Sequence, residues 1–119
     1  MSKRNIVHVE IPASDVNASA KFYQDLFGWK IVPMPEIDYT MWEAGDGSGG
    51  GFPQVSPETP AGRVLVYIAS ENIDDDLKRV AQLGGTVLKQ KTEIPGTGWF
   101  GVFQDPTGNA LALYTGKNS

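Results

Sequence analysis

His8 and Glu10 are the residues whose types and spacing most directly suggest chemistry. They lie in the segment 6–11, where the polar side chains alternate with the apolar Val7, Val9 and Ile11. Alternate side chains of a strand point to opposite faces, so we expect His8 and Glu10 on one face. Imidazole titrates near neutral pH, and we expect the nearby carboxylate to raise its pKa. The pair predicts general acid–base chemistry; the alternative is a histidine that only forms a hydrogen bond within the sheet.

Composition excludes several other kinds of chemistry. The chain has 119 residues, of which 40% are hydrophobic and 20% charged, values typical of one folded domain. It contains no cysteine, which excludes disulfides and thiolate nucleophiles. The net charge of −4 without a basic stripe argues against nucleic acid and anionic membranes as partners. Neither a signal peptide nor a membrane-spanning stretch is evident, so we expect a cytoplasmic protein.

A strand followed by a helix and a glycine turn occurs twice along the chain. The first helix is expected at about 15–27, with Ser14 or Asp15 as its cap and Gly28 at its end. In the second half a β-type run at 64–69 precedes an apolar helical stripe. One constant shift superimposes the two stripes and the glycines that end them, which indicates an internal repeat.

Three more β-type segments follow each helix. They lie at 30–33, 39–44 and 51–55 in the first half and at 86–89, 99–104 and 110–115 in the second. The sequence therefore predicts an α+β fold made of two βαβββ modules, at 5–55 and 63–116, joined by a linker at 56–62 within one domain, 1–119. The glycine run 45–51 lacks the Gly-Lys-Ser/Thr of a phosphate loop, so we interpret it as a hairpin turn with a bendable strand.

Several motifs resemble those of the vicinal oxygen chelate superfamily, which includes glyoxalase I, bleomycin-resistance proteins and extradiol dioxygenases. The resemblance rests on His8-Val9-Glu10-Ile11, on the run 21–29 (KFYQDLFGW), on Leu83-Gly84-Gly85 and on the run 105–109 (DPTGN). It is closest to small bacterial glyoxalase-like proteins. It implies that each module curls into a half-barrel, that the half-barrels enclose a cleft for a small molecule, and that the protein is a homodimer.

The resemblance also implies where a divalent metal would bind. The four ligand positions of metal-dependent members fall on His8, Phe52, Leu65 and Ala112. Three of these side chains are apolar and cannot coordinate an ion, so we expect no metal and no other cofactor. A shift of the alignment by two residues would bring in Glu10 and Gln54. With that alignment the protein would be a metal-dependent lactoylglutathione lyase or dioxygenase.

The implied cleft is mostly aromatic and apolar, as small-molecule sites often are. Beside His8 and Glu10 its expected lining residues are Phe52, Gln54, Leu65, Tyr67, Ala112 and Tyr114, with Trp99 in the loop 94–99 as either a lid or part of a plain connector. We expect a glyoxalase-like protein of lyase or isomerase type that moves a proton without a metal. The alternative is a binding protein that sequesters an apolar or aromatic small molecule, as bleomycin-resistance proteins do.

Overall fold

The computed structural model describes residues 4–117, which form two compact units. The N-terminal unit comprises residues 8–65, and the C-terminal unit comprises residues 66–117 together with residues 4–7. The order of elements confirms the two predicted βαβββ series, with one short 3-10 turn, Pro35–Ile37, added. The elements are β1 (Ile6–Glu10), α1 (Val16–Phe27), β2 (Lys30–Met34), β3 (Tyr39–Glu43), β4 (Gly49–Gly51), β5 (Leu65–Ala69), α2 (Ile73–Gln82), β6 (Thr86–Ile94), β7 (Gly98–Gln104) and β8 (Ala110–Gly116).

Helix α1 begins and ends where its capping residues require. The Asp15 side chain accepts a hydrogen bond from the Ala18 N–H at 3.1 Å, which satisfies one of the free donors of the first turn. Gly28 ends the helix with a left-handed backbone, φ 73°. The helix packs on the core of the N-terminal unit, whose buried residues are Ala13, Ala20, Trp42 and Phe52.

The sheet of the N-terminal unit has the strand order β2-β3-β4-β1. Strand β1 pairs with β4 in parallel, and β4 pairs with β3 antiparallel. The prediction of a strand at 51–55 is wrong, because β4 is only Gly49–Gly51. Pro53 has no N–H for a ladder, and Gln54 forms only an isolated bridge with Ala13.

The C-terminal unit has the strand order β5-β8-β7-β6 and a core on its α2 side. Ile73 and Leu77 of α2 pack against Leu113 of β8. Strand β6 extends to Ile94, so the predicted loop 94–99 is a tight hairpin in which the Thr97 N–H donates to the Ile94 carbonyl at 2.9 Å.

Residues 4–7 join the C-terminal unit, although the predicted first module begins at residue 5. The Asn5 carbonyl accepts a hydrogen bond from the Ala69 N–H at 3.0 Å. The guanidinium of Arg4 pairs with the Asp76 carboxylate in the first turn of α2. Within residues 4–117, neither helix is long and apolar enough to span a bilayer.

Candidate functional site

Three polar side chains of the N-terminal unit meet on the sheet face opposite α1. Nε2 of His8 lies 2.9 Å from the hydroxyl oxygen of Tyr39, and this hydroxyl donates to Oε2 of Glu10 over 2.6 Å. His8 Nε2 and Glu10 Oε2 are themselves 4.0 Å apart, and the two side chains are 21% and 14% exposed. The structure therefore brings the two predicted catalytic residues together, with Tyr39 between them. We call these residues the His8–Tyr39–Glu10 cluster.

Tyr39 reaches this cluster by lying across β4. That strand separates β3 from β1 in the sheet and consists only of glycine. A Cβ atom on Gly51 would lie 1.9 Å from the Tyr39 hydroxyl oxygen and 2.1 Å from Cζ. The tyrosine ring thus occupies space that any other residue at position 51 would fill. The glycine run that we interpreted as a hairpin turn supplies the side-chain-free strand beneath the ring.

Both hydrogen bonds of the cluster are donated in the same direction, towards Glu10. Tyr39 has a single hydroxyl hydrogen, and it is donated to the Glu10 carboxylate. The bond between Tyr39 and His8 must then be donated by the imidazole, so Nε2 bears hydrogen. Neutral His8 is therefore the Nε2–H tautomer in this arrangement. The hydrogen bonds lead from His8 through Tyr39 to Glu10.

Burial lowers the pKa of His8 below its usual 6.5, and the negative charge of Glu10 opposes this effect only in part. Glu10 does raise the pKa of His8, as expected, but burial has the larger effect and the net shift is downward. Removing the ring from water disfavours the charged form by more than Glu10 stabilises it. The imidazole is accordingly neutral at neutral pH, which is the form that accepts a proton.

The residues present do not fit the four-ligand metal site that the resemblance implies. Of the four positions only His8 offers a donor, because Phe52, Leu65 and Ala112 are apolar. Within residues 4–117 no group of three or more His, Asp or Glu side chains is arranged to hold an ion. The polar groups around His8 instead form hydrogen bonds with one another.

An aromatic surface lies on the sheet of the C-terminal unit, on the side opposite α2. Strand register pairs Tyr67 with Ala112, and Phe100 with Tyr114, which places the four side chains on one face. The rings of Tyr67 and Phe100 are 6.4 Å apart between centroids. We call Tyr67, Phe100, Ala112 and Tyr114 the aromatic face. Leu65 lies two residues before Tyr67 on the same strand. Tyr67, Ala112 and Tyr114, which we expected to bind a ligand, thus lie on one face of the sheet. Ligand binding by them stays a prediction.

Phe52 does not share the face of His8 and Glu10. Glu10 is in register with Gly51, so the next side chain points to the α1 side of the sheet. There Phe52 is 2% exposed and stacks on Tyr23 at 5.9 Å between centroids. The expected position of Phe52 in the cleft is therefore wrong, because Gly51, one residue earlier, occupies the register position on the face of Glu10.

Gln54 lies on the α1 side as well, which corrects its expected position beside His8 and Glu10. Its Nε2 donates to the carbonyl of Ser14 at 3.1 Å. Gln54 lines a polar pocket of about 450 Å³ at the start of α1, together with Ser14, Asp15, Val16, Asn17, Asp38, Thr40 and Phe52.

Trp99 lies on the α2 side of its sheet and not on the aromatic face. It packs against the core of Ile73, Leu77 and Leu113. The ammonium groups of Lys91 and Lys117 lie 5.2 and 5.9 Å from the centroid of its ring. Of the two interpretations of Trp99, the lid over the cleft is therefore wrong. In β7 the residue that faces Tyr67 is Phe100, one position further along.

Tyr39 and Phe100 are the residues that the sequence analysis missed. The alternation of β3, with Trp42 in the core, places Tyr39 on the other face together with Met41. The alternation of β3 can be recognised in the sequence and predicts the face on which Tyr39 lies. Its position beside His8 depends on the order of the strands in the sheet.

The chain is similar in sequence to bleomycin resistance and glyoxylase-like proteins. Residues 5–45 match the family described as bleomycin resistance protein-like N-terminal. A glyoxylase-like domain-containing protein of Didymella fabae is 30% identical over 115 residues, which cover 90% of each chain. An anthracycline biosynthesis protein of Streptomyces peucetius is 30% identical over 122 residues, covering 88% of this chain and 44% of that one. The chain spans less than half the length of the Streptomyces and mycobacterial relatives that it matches.

A solved structure shows the same fold. It is a glyoxalase/bleomycin resistance protein/dioxygenase superfamily member from Vibrio splendidus, with a TM-score of 0.68 and 16% identity over 93% of this chain and 97% of that one. This likeness and the end-to-end match to the Didymella protein agree with the two βαβββ series and their motifs. The chain therefore belongs to the glyoxylase-like proteins of the vicinal oxygen chelate superfamily.

Proposed function

We propose that this protein catalyses proton transfer on a small carbonyl or hydroxy compound, a glyoxalase-like reaction of lyase or isomerase type, with His8 as the base and Glu10 as its partner. The observation that supports the proposal is the continuous hydrogen-bonded path from His8 through Tyr39 to Glu10, with steps of 2.9 and 2.6 Å. Proton transfer between positioned side chains requires such distances.

Each residue of the cluster has a role in the proposed reaction. The neutral His8 ring removes a proton from a carbon next to a carbonyl group. The imidazolium then passes its Nε2 proton to the Tyr39 oxygen while Tyr39 gives its own hydroxyl proton to Glu10. The reverse transfers return a proton to the substrate, which completes an isomerisation. Ionised Glu10 also stabilises the transient positive charge on His8, since the two groups are 4.0 Å apart.

The proposal is tested by hydrogen exchange in deuterium oxide with a panel of small 2-oxo, 2-hydroxy and aldehyde compounds, monitored by NMR. We expect exchange at the carbon beside the carbonyl, and a loss of about 100-fold or more in His8→Gln and Glu10→Gln. Glu43→Gln is the matched control, because Glu43 is an exposed carboxylate on the same sheet that lies outside the cluster. Exchange by His8→Gln at the wild-type rate would refute the proposal.

The same assay separates the proposed reaction from a metal-dependent lactoylglutathione lyase or dioxygenase. We propose that the reaction needs no ion, because the donors around His8 do not form a ligand set. Exchange should therefore be insensitive to a strong chelator and to added nickel, zinc or iron(II). An ion that copurifies with the protein and is required for turnover would favour the metal-dependent alternative.

The aromatic face supports a second candidate function, the binding of an aromatic small molecule without chemical change. Partly exposed Phe100 and Tyr114 lie next to each other in the register of β7 and β8. A relative named as an anthracycline biosynthesis protein agrees with an aromatic ligand. This candidate predicts quenching of tryptophan fluorescence by a compound that mass spectrometry recovers unchanged. Deuterium incorporation into that compound would favour catalysis.

We also propose that the protein forms a homodimer, as its resemblance to the superfamily implied. Helix α1 exposes Phe22, Leu26 and Phe27, which are 58%, 58% and 59% exposed. Apolar side chains grouped in this way on a surface are typical of contacts between proteins. Light scattering should give twice the chain mass, and Leu26→Glu should shift it towards the monomer. A monomer at all concentrations would contradict this proposal.

A further inference from the structure

Lys89 lies beside the aromatic face of the C-terminal unit. Its ammonium nitrogen is 6.0 Å from the centroid of the Phe100 ring, within the range of a cation–π contact. In the register of β6 and β7, Lys89 is paired with Val102, and Val102 is paired with Ala112 of the aromatic face. Lys89 therefore belongs to the same side of the sheet as Tyr67 and Phe100.

A register shift in β6 gives Lys89 this orientation. Val87 pairs with Phe103 on the α2 side of the sheet. In a regular strand Lys89, two residues after Val87, would lie on that side too. The shift between Val87 and Lys89 adds one residue and turns Lys89 to the opposite face.

A second shift, between Lys89 and Thr92, separates the two lysines of the strand. Without this shift Lys91 would pair with Phe100, but in the structure Thr92 is the residue that pairs with Phe100. Lys91 lies instead over Trp99, on the other side of the sheet. The two irregularities thus place one lysine, and not the other, at the aromatic face. Bulges that redirect a side chain are common next to functional sites.

Among the residues from 4 to 117, no carboxylate lies within ion-pair distance of the Lys89 ammonium group. Lys117, in contrast, pairs with Glu93 at 3.2 Å. A lysine that lies beside the Phe100 ring, with no carboxylate partner among these residues, offers a complementary charge to an anionic ligand.

We infer that the aromatic face binds a planar aromatic carboxylate. The rings of this ligand would lie against Phe100 and Tyr114, and its carboxylate would lie at Lys89. This inference deepens the proposal of a small-molecule ligand by naming the class of that ligand. Aromatic stacking provides the contact area, and the lysine distinguishes an anion from a neutral compound of the same shape.

Naphthoate and its uncharged amide, naphthamide, test this inference as matched probes. Their dissociation constants are measured by calorimetry with wild type, Lys89→Met and Lys91→Met. We expect wild type to prefer naphthoate by about tenfold, the lower end of the net contribution of a hydrogen bond to a charged group. Lys89→Met should bind both probes equally, whereas Lys91→Met should keep the preference. Retained binding of naphthamide by Lys89→Met shows that this variant is folded.

Three results would overturn the inference. They are equal affinity of wild type for the two probes, no binding of either probe, and an equal loss of preference in Lys89→Met and Lys91→Met. The proton-transfer proposal is judged separately, by exchange in His8→Gln. The two proposals can therefore fail independently.

Discussion

The ring of Tyr39 occupies the space that a side chain on Gly51 would need. This relationship joins two features that are distant in the sequence, a glycine strand and an acid–base pair. Because β4 presents no side chains, a tyrosine of β3 reaches His8 and Glu10 of β1. A structural glycine thus becomes a condition for the proposed chemistry.

Gly51→Ala should displace Tyr39 and break the cluster. The added Cβ would lie 1.9 Å from the hydroxyl oxygen, so the ring must move. We expect a loss of about 1–3 kcal/mol in the free energy of unfolding, the usual cost of overpacking. Proton transfer should fall as it does in Tyr39→Phe, which lacks the relay hydroxyl. Chemical denaturation and the exchange assay measure the two effects.

A double-mutant cycle identifies the cause of that loss. In Tyr39→Ala the ring is absent, so adding Gly51→Ala should cost much less than it does in wild type. Equal costs in the two backgrounds would show that strain of the β4 backbone, and not the tyrosine ring, limits position 51.

His8 should make the protein less stable in mild acid. Burial lowers its folded-state pKa below 6.5, whereas in the unfolded chain the ring has its ordinary value. Above pH 6.5 the ring is neutral in both states, and below it the unfolded state binds the proton first. The free energy of unfolding should therefore decrease as the pH falls from 6.5 towards the folded-state pKa.

His8→Gln should remove this contribution, because glutamine can donate to Tyr39 but does not titrate. Urea denaturation at several pH values should give a shallower decline for His8→Gln than for wild type. The difference between their slopes should not exceed about 1.4 kcal/mol per pH unit, the value for one proton. Parallel declines would contradict the assignment of a lowered pKa to His8.

Glu10→Gln should lower the pKa of His8 further. The negative charge of Glu10 favours the imidazolium, so its removal takes away a contribution that opposes the effect of burial. The chain contains one histidine, which makes its ring signals unambiguous in an NMR titration. Glu43→Gln, which changes a carboxylate outside the cluster, should leave the His8 titration unchanged. A higher pKa in Glu10→Gln would show that hydrogen bonding outweighs the charge of Glu10.

The order of elements could be predicted from the sequence, because turns, caps and periodicity are local properties. The same alternation placed His8 and Glu10 on one face, and the structure shows them within 4.0 Å. The capping of α1 by Asp15 and its end at Gly28 were also predictable from residue type.

The errors arose where a side-chain position depended on register. A strand has a period of two residues, so an error of one residue moves a side chain to the other face. The side of the sheet on which Phe52 lies cannot be inferred from the position of Ala112 in β8, because β4 has three residues and β8 has seven. Trp99 and Phe100 are adjacent in β7, and it is Phe100 that faces Tyr67. The orientation of Lys89 depends on a register shift that no periodic pattern indicates.

The central claim, that a directed hydrogen-bonded path joins His8 to Glu10 through Tyr39, is tested most directly by the tautomer of His8. Nitrogen-15 NMR of the single imidazole at a pH above its pKa distinguishes hydrogen on Nε2 from hydrogen on Nδ1. We predict hydrogen on Nε2 in wild type, because Tyr39 donates its own hydroxyl hydrogen to Glu10. In Tyr39→Phe we predict a smaller fraction of the Nε2–H tautomer, because the oxygen that accepts this hydrogen is absent. Hydrogen on Nδ1 in wild type would contradict the account, since Tyr39 would then donate to His8 and leave Glu10 outside the path.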